Sequence, residues 1–340
     1  MDSKFPKNIS NMRKDELRNT FKRMVEYAQN AQINVIILAG DVFDSDTPFK
    51  KDKDFFYSVV RNNPQIDFLY LRGNHDVSAD YEGEHIANLK VFSNKWTSYS
   101  YGNVVISGIE ISAENSSALY SSLSLDKDKI NIVTLHGDIG DASGKDKINK
   151  KKLRDKNIDY LALGHIHKHR MEKLDDRGTY CYSGCLEGRG FDELGDHGFV
   201  VLDIDKKVLP TFVPFAKRKI IEADADVSGV RDGYEAYSAV KSAVSFDKEN
   251  IYRINLKGEL DFDVEPLAAD VASYLASSDC LFADVKDMTG KKLNVGDFEG
   301  DMSLRGEFVR CVYEDGECSD EDKAKIISYG LKALAGGDWK

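Results

Sequence analysis

No stretch of about 18 apolar residues occurs in this chain of 340 residues, so no membrane-spanning helix is expected. The opening Met1-Asp2-Ser3-Lys4-Phe5-Pro6 lacks the apolar core that a secretory signal needs. Cysteine is scarce: five residues, an odd number with no Cys-x-x-Cys pair, the usage expected of reduced thiols in a cytoplasmic protein. The nearest two, Cys181 and Cys185, read as ordinary thiols rather than metal ligands. Positive charge is also in deficit, with 47 Lys and Arg against 58 Asp and Glu and a net charge of −11. A chain of that sign does not coat nucleic acid with its whole surface. A nuclease is not excluded, because bound metal ions and a local basic patch can receive phosphates. Internal repeats and low-complexity tracts are missing too. What is present is an ordinary globular composition, 41% hydrophobic and 31% charged, long enough for one large core and a smaller second unit.

Four short runs stand out: Gly-Asp-Val-Phe-Asp at 40–44, Gly-Asn-His-Asp at 73–76, Leu-His-Gly-Asp at 135–138 and Gly-His-Ile-His at 164–167. Each follows an apolar stretch: Val35–Ala39, Phe68–Leu71, Ile132–Leu135 and Tyr160–Leu163. Such stretches read as buried strands of a sheet covered on both faces. In an α/β layout ligands gather beyond the carboxyl ends of the strands. Asp41, Asn74, His136, His165 and His167 are therefore expected to converge on one spot. Oxygen and imidazole ligands held together suit hard to borderline divalent metals.

Residues 14–31 carry a helical stripe of Leu17, Phe21, Met24, Val25 and Ala28. Further strands are expected at 104–109 and 199–204, with loops and short helices over the site at 110–130. The basic run at 145–156, read from Gly144, is expected on the helix of a βαβ crossover, as a solvated face or, alternatively, a DNA-contact patch. Strands alternating with helices indicate an α/β layered domain over 1–215. A small α+β domain is expected over 216–290: strand near 218–223, helix 233–245, strand 250–257, helix 264–277 and strand 280–286. Leu304–Tyr313 and Lys323–Leu334 carry helical stripes within a final helical segment, 291–340.

The residue types suggest a mechanism. Asp41 can bridge two cations, and with Asn74, His136 and His165 it makes a four-ligand set for one of them. His167, two residues beyond His165 on extended backbone, points towards a second ion that also touches Asp41. Two such ions clamp a phosphate and acidify a bridging water, which becomes the nucleophile for in-line attack on phosphorus. His75 is placed to donate a proton to the leaving oxygen, with Asp76 orienting its ring. His85, His169 and His197 read as ordinary structural or surface histidines.

In this order the four motifs resemble the calcineurin-like metallophosphoesterase superfamily. Asp2-Ser3-Lys4-Phe5, Tyr182-Ser183-Gly184 and the run Glu187-Gly188-Arg189-Gly190-Phe191-Asp192-Glu193 narrow the resemblance to SbcD-type DNA repair exonucleases, particularly their YhaO-like branch. Leu304-Arg305-Gly306-Glu307-Phe308 and Tyr329-Gly330-Leu331-Lys332-Ala333-Leu334 fit the same branch. The resemblance implies a layered sheet-sandwich phosphodiesterase domain with a smaller α+β capping domain. It also implies two divalent ions, manganese first, DNA as substrate, a homodimer and an SbcC-type coiled-coil ATPase partner. Carried over by motif, Asp41 is the bridging ligand, Asn74, His136 and His165 complete one site, and His167 belongs to the other. His75 and Asp76 are then the catalytic pair. Arg189 is the candidate for a phosphate contact, with a structural salt bridge as the alternative. The family's opening strand ends in Asp-x-His, whose place falls just before Asp2, so the first ion is left with Asp41 and His167. Either the start at Met1 is misassigned or truncated, or the chain is a degenerate, inactive member. An enzyme acting on small molecules or phosphoproteins, and a catalytically impaired subunit that binds DNA ends or the ATPase, are the competing functions.

Overall fold

The structure is a computed structural model that describes residues 5–43, 48–76, 85–142, 146–261, 264–292, 295–316 and 318–334. Asp2-Ser3-Lys4 of the resemblance, Asp44 of the first motif and the Gly144-Lys145 head of the basic run lie outside them. Contacts divide the chain into two units, Met1–Lys219 and Ile220–Lys340.

The first unit runs α1 (Lys7–Asn30), β1 (Val35–Leu38), α2 (Lys50–Arg61), β2 (Asp67–Tyr70), β3 (Leu89–Val91), β4 (Thr97–Tyr101) and β5 (Val104–Gly108). It continues β6 (Ile130–His136), β7 (Asp138–Gly140), β8 (Lys147–Asn149), α3 (Lys150–Leu153), β9 (Tyr160–Gly164), β10 (Arg170–Lys173) and β11 (Thr179–Tyr182). An antiparallel pair, β12 (Gly198–Ile204) and β13 (Val208–Pro214), ends it.

The four motif strands do not share one sheet. β1 and β2 lie in a three-stranded parallel sheet ordered β1-β2-β3, while β6 and β9 are central in a six-stranded sheet ordered β10-β11-β9-β6-β5-β4. Side chains alternate across both sheets, which separates the core into layers. Leu69, Leu71, Ile132 and Tyr160, with Val35 and Ile37, fill the space between the sheets. Ile36, Leu38 and Phe68 face Met24, Val25 and Ala28 of α1 and Phe56, Val59 and Val60 of α2. Val133, Leu135, Leu161 and Leu163 face outward onto Leu119, Tyr120, Leu123, Ile148 and Leu153. Each strand is thus apolar on both faces, which is why all four read as unbroken hydrophobic runs. The pairings Leu38 with Tyr70 and His136 with Gly164 are parallel, so within each sheet the two motif loops leave from the same end.

Three expectations need correcting. The 145–156 run is not a crossover helix: it forms β8 and the single turn α3, because Ile148 is fully buried and pairs with Ile139 of β7. Lysine content favours helix, but burial of one isoleucine on a strand overrides it. Residues 110–130 form turns with no helix, whose Leu119, Tyr120 and Leu123 pack on the outer face of the six-stranded sheet. α1 also begins seven residues before 14, just after Pro6. Its first turns bury Ser10 and Arg13 beside Ile9, and that mixed face carries little apolar periodicity. Arg13 is fully enclosed, bonded to Glu16 at 2.6 Å, to Glu187 at 2.9 Å and to the Gly188 carbonyl at 2.8 Å. Glu187 also accepts from Thr20 and from the Lys217 amide, both at 2.6 Å, and so ties α1 to the segment carrying Arg189 and Glu193.

The second unit holds a parallel sheet of β14 (Ile220–Asp226), β15 (Ile251–Lys257) and β17 (Phe282–Asp287), in the order β14-β15-β17. Between them come α4 (Gly233–Ala243), the short β16 (Glu259–Asp261) and α5 (Ala268–Ser278). Tyr252, Ile254 and Leu256 of β15 pack against Ala236, Val240, Val271 and Leu275 of the two helices. The short β18 (Gly290–Lys292) follows, then α6 (Leu304–Glu314) and α7 (Asp320–Leu334), which pair through Val309, Ile327 and Leu331. Among the described residues no helix is long and apolar enough to cross a membrane.

Candidate metal centre

His136, the last residue of β6, is 6% exposed and is held at both ring nitrogens. Its Nδ1 lies 2.8 Å from the Ala39 carbonyl oxygen. A carbonyl only accepts, so Nδ1 carries the proton and Nε2 faces the site. Nε2 is 2.9 Å from Asn74 Oδ1 and 3.3 Å from Asp41 Oδ2. With the ring neutral, three lone pairs therefore point at one another with no donor between them. A cation is what such a donor set accepts. Without one, a second proton serves. Burial works against the charged imidazole, but the bonds to Asp41 and Ala39 outweigh it and raise the His136 pKa above its ordinary value. Burial likewise works to raise Asp41, and the His136 contact and the His75 amide bring its carboxyl below the usual range.

Asp41, His136 and His165 offer ligand atoms all within 4.8 Å of one another. His165 sits with its ring centroid 5.3 Å from that of His136, edge to face. Burial and the nearby His136 charge lower its pKa, which keeps its lone pair available. The backbone is bent to bring these groups in: Asp41 has φ 52° and His165 φ 95°, conformations that cost a non-glycine residue of order 1–3 kcal/mol. Two glycines make the approach close enough. A Cβ at Gly164 would land on the Ala39 carbonyl oxygen, and one at Gly40 (φ 95°) would land on His136 Nδ1.

The second motif sits on the first. Asp41 Oδ1 accepts the His75 amide at 3.0 Å. Asp76, fully buried, accepts the amides of Phe43 at 3.0 Å, Val42 at 3.3 Å and Gly73 at 3.0 Å. Asp76 thus clamps the two motif loops together, a task the sequence did not disclose. His75 is exposed beside the centre.

His167 belongs to a different cluster. Its Nδ1 lies 2.8 Å from Glu193 Oε1 and 2.6 Å from Arg189 Nη2. Only one of these contacts can be a hydrogen bond through that nitrogen. The ionised carboxylate requires a donor, so Nδ1–H points to Glu193. Arg189 is bound by the same carboxylate, Nη2 to Oε1 at 2.9 Å and its amide to Oε2 at 2.8 Å. Burial tends to raise the Glu193 pKa, but His167 and Arg189 overcome it and hold the carboxyl far below its usual range. Glu193 was missed as a site residue; its only signal was its place in the 187–193 run. His197 bonds Glu193's carbonyl at 3.1 Å and lies 3.3 Å from the Cys185 thiol, which burial and the Glu193 charge push up to about 12. His169 stacks on Phe212, and His85 is exposed.

Paired sheets deliver carboxylate, amide and imidazole acceptors to one point, a donor set that suits a divalent cation. Residues 13–169 match the calcineurin-like phosphoesterase family, and this part of the chain is a calcineurin-like phosphoesterase domain. Over 334 residues the chain is 21% identical to the DNA double-strand break repair protein Mre11 of Methanosarcina acetivorans, covering 90% of this chain and 53% of that protein. It is 25% identical over 178 residues to the protein of the same name from Sulfurisphaera tokodaii, covering 48% of this chain and 46% of that one. It is 26% identical over 220 residues to the uncharacterized metallophosphoesterase YhaO of Bacillus subtilis, covering 59% and 53%. The chain thus spans about half the length of these relatives.

Proposed function

We propose that this protein is a divalent-cation-dependent phosphodiesterase that cuts DNA in double-strand break repair. The observation that carries the chemistry is the convergence of His136 Nε2, Asn74 Oδ1 and Asp41 Oδ2 with no donor between them. The substrate class rests on the similarity to double-strand break repair proteins. Asp41, Asn74, His136 and His165 would hold one cation, and His167 a second, its ring oriented by Glu193 as second-sphere carboxylates orient ligating imidazoles. Manganese is the ion to test first. Bound there, the cations supply positive charge for phosphate oxygens and acidify water.

The chain's own groups do the rest. Asp41 and Asn74 fix where a phosphate can approach. His75, anchored by its amide to Asp41 and exposed, donates a proton to the leaving oxygen. Asp76 holds its loop in place. Arg189, already bonded to Glu193, positions His167 and borders the phosphate. A homodimer and a coiled-coil ATPase partner belong to the same reading.

The test uses end-labelled linear duplex and single-stranded DNA, with bis(p-nitrophenyl) phosphate as a small diester, in Mn2+ or EDTA. The reading expects Mn2+-dependent cutting of DNA that His75→Asn abolishes while Mn2+ binding persists. Hydrolysis of the small diester with DNA left intact would overturn the substrate and favour a small-molecule or phosphoprotein enzyme. DNA binding with neither substrate cut would leave a binding subunit.

A further inference from the structure

Among the described residues the basic run 146–156 supplies no ligand to the metal centre, and four of its lysines fall into two groups. Lys151 pairs with Asp141 at 2.9 Å, and Lys150 rests over the Tyr180 ring with Glu172 4.0 Å away. Lys147 and Lys152 instead line a half-open cleft of about 280 Å3, together with Ser116, Ser117, Tyr120 and Ile111. Lys152 is exposed, its ammonium 5.3 Å from the centre of the Tyr120 ring, and among the described residues it has no carboxylate partner. Lys147 bonds Asp138 at 2.6 Å, a pair about half exposed on both sides and so readily exchanged for another anion. The Tyr120 ring is fixed because its hydroxyl accepts the Asn149 amide at 2.7 Å.

We infer that this cleft binds one phosphate-bearing nucleotide unit. Two ammonium groups, the exposed Ser117 hydroxyl and that of Ser116, which here donates to the Ala113 carbonyl at 3.2 Å, are donors a phosphate takes, while Tyr120 and Ile111 offer an apolar wall for a sugar or base. The volume fits a single unit at the small end of ligand sites. One short stretch of chain joins the cleft to the metal centre. β6 delivers His136, and β7 begins two residues later at Asp138, the partner of Lys147. A nucleotide held here is therefore one unit of a single strand leading to or from the scissile phosphate, or a mononucleotide released from it. The inference deepens the function proposed above and rests on it for the substrate class.

Binding without metal tests it. EDTA-stripped wild type, Lys152→Glu and Ser117→Asp are titrated with fluorescein-labelled (dT)10, with thymidine 5′-monophosphate and with thymidine. Both substitutions are at exposed positions, so the fold should survive, and circular dichroism checks that it does. Lys152→Glu should raise the (dT)10 Kd about tenfold and lower the salt slope by about one. Ser117→Asp should weaken binding too, and thymidine should not bind. Lys152-dependent binding of the monophosphate supports the released mononucleotide as occupant; dependence for (dT)10 alone supports the strand. Equal Kd values in all three proteins, or no binding by the wild type, overturn the site. The two readings fail separately. DNA left uncut in Mn2+ with the Lys152 effect intact sinks only the nuclease. Mn2+-dependent cutting with binding unchanged in Lys152→Glu sinks only the cleft.

Discussion

His136 Nδ1 meets the carbonyl oxygen of Ala39 at 2.8 Å, and that bond decides which ring nitrogen faces Asp41 and Asn74. Nε2 is then the one atom over which a proton and a cation compete. The pKa of His136 is raised above its ordinary value of 6.5, because its bonds to Asp41 and Ala39 outweigh the cost of burial. Cation binding therefore releases a proton at pH values below that raised pKa. There the apparent Kd for Mn2+ should rise about tenfold per pH unit of acidification, and level off above it. Titration calorimetry in buffers of different ionisation enthalpy measures the proton release. A Kd that does not change with pH through that range would remove His136 from the ligand set.

Gly164→Ala tests the packing that holds this tautomer. Its Cβ would strike the Ala39 carbonyl oxygen and crowd His136 Nδ1. Overpacking of this kind costs about 1–3 kcal/mol, and more where backbone is the obstacle. Urea denaturation should show the loss in stability, with Mn2+ affinity falling in parallel. Wild-type values for both would show that the two strand ends do not approach as described.

Asp76 stabilises the site loops through the three amides of Val42, Phe43 and Gly73. Asp76→Ala leaves these donors without their acceptor in a buried place and should cost about 3 kcal/mol or more. Asp76→Asn keeps an accepting oxygen and should cost less. If Asp76 served only to orient His75, both variants would lose activity at unchanged stability.

The pKa of Glu193 is held below its ordinary 4.5, since His167 and Arg189 overcome the opposing effect of burial. A depressed folded-state pKa contributes stability that is present above the unfolded value and lost as pH falls through the folded one. Unfolding free energies measured from pH 6 downward should therefore drop below about 4.5 in the wild type, and less steeply in Glu193→Gln. Equal slopes would mean that the carboxylate is not the acceptor for His167 and Arg189.

Much of this was legible in the sequence because each motif strand is covered on both faces and so appears as an unbroken apolar run ending in a polar ligand. Asp41, Asn74, His136 and His165 could be named on that ground. The strand runs by themselves did not disclose the division between two sheets, which only the family resemblance implied, since strands buried on both faces look alike whichever sheet they join. Ala39 has no signature either: what it contributes is a backbone carbonyl that any residue possesses. Glu193 and Asp76 act through contacts distant in sequence, 26 residues to His167 and 33 to the Phe43 amide. Lysines hid β8, whose only strand signal is the buried Ile148. Arg13 concealed the start of α1 because its burial rests on charge partners 3 and 174 residues away rather than on an apolar stripe.

The most direct test of the whole account is a Mn2+ binding isotherm on EDTA-stripped protein, wild type beside His136→Ala, with folding checked by circular dichroism. The account predicts at least one Mn2+ bound per wild-type chain, lost in the folded variant. Equal binding by the two proteins, or none by the wild type, would contradict it.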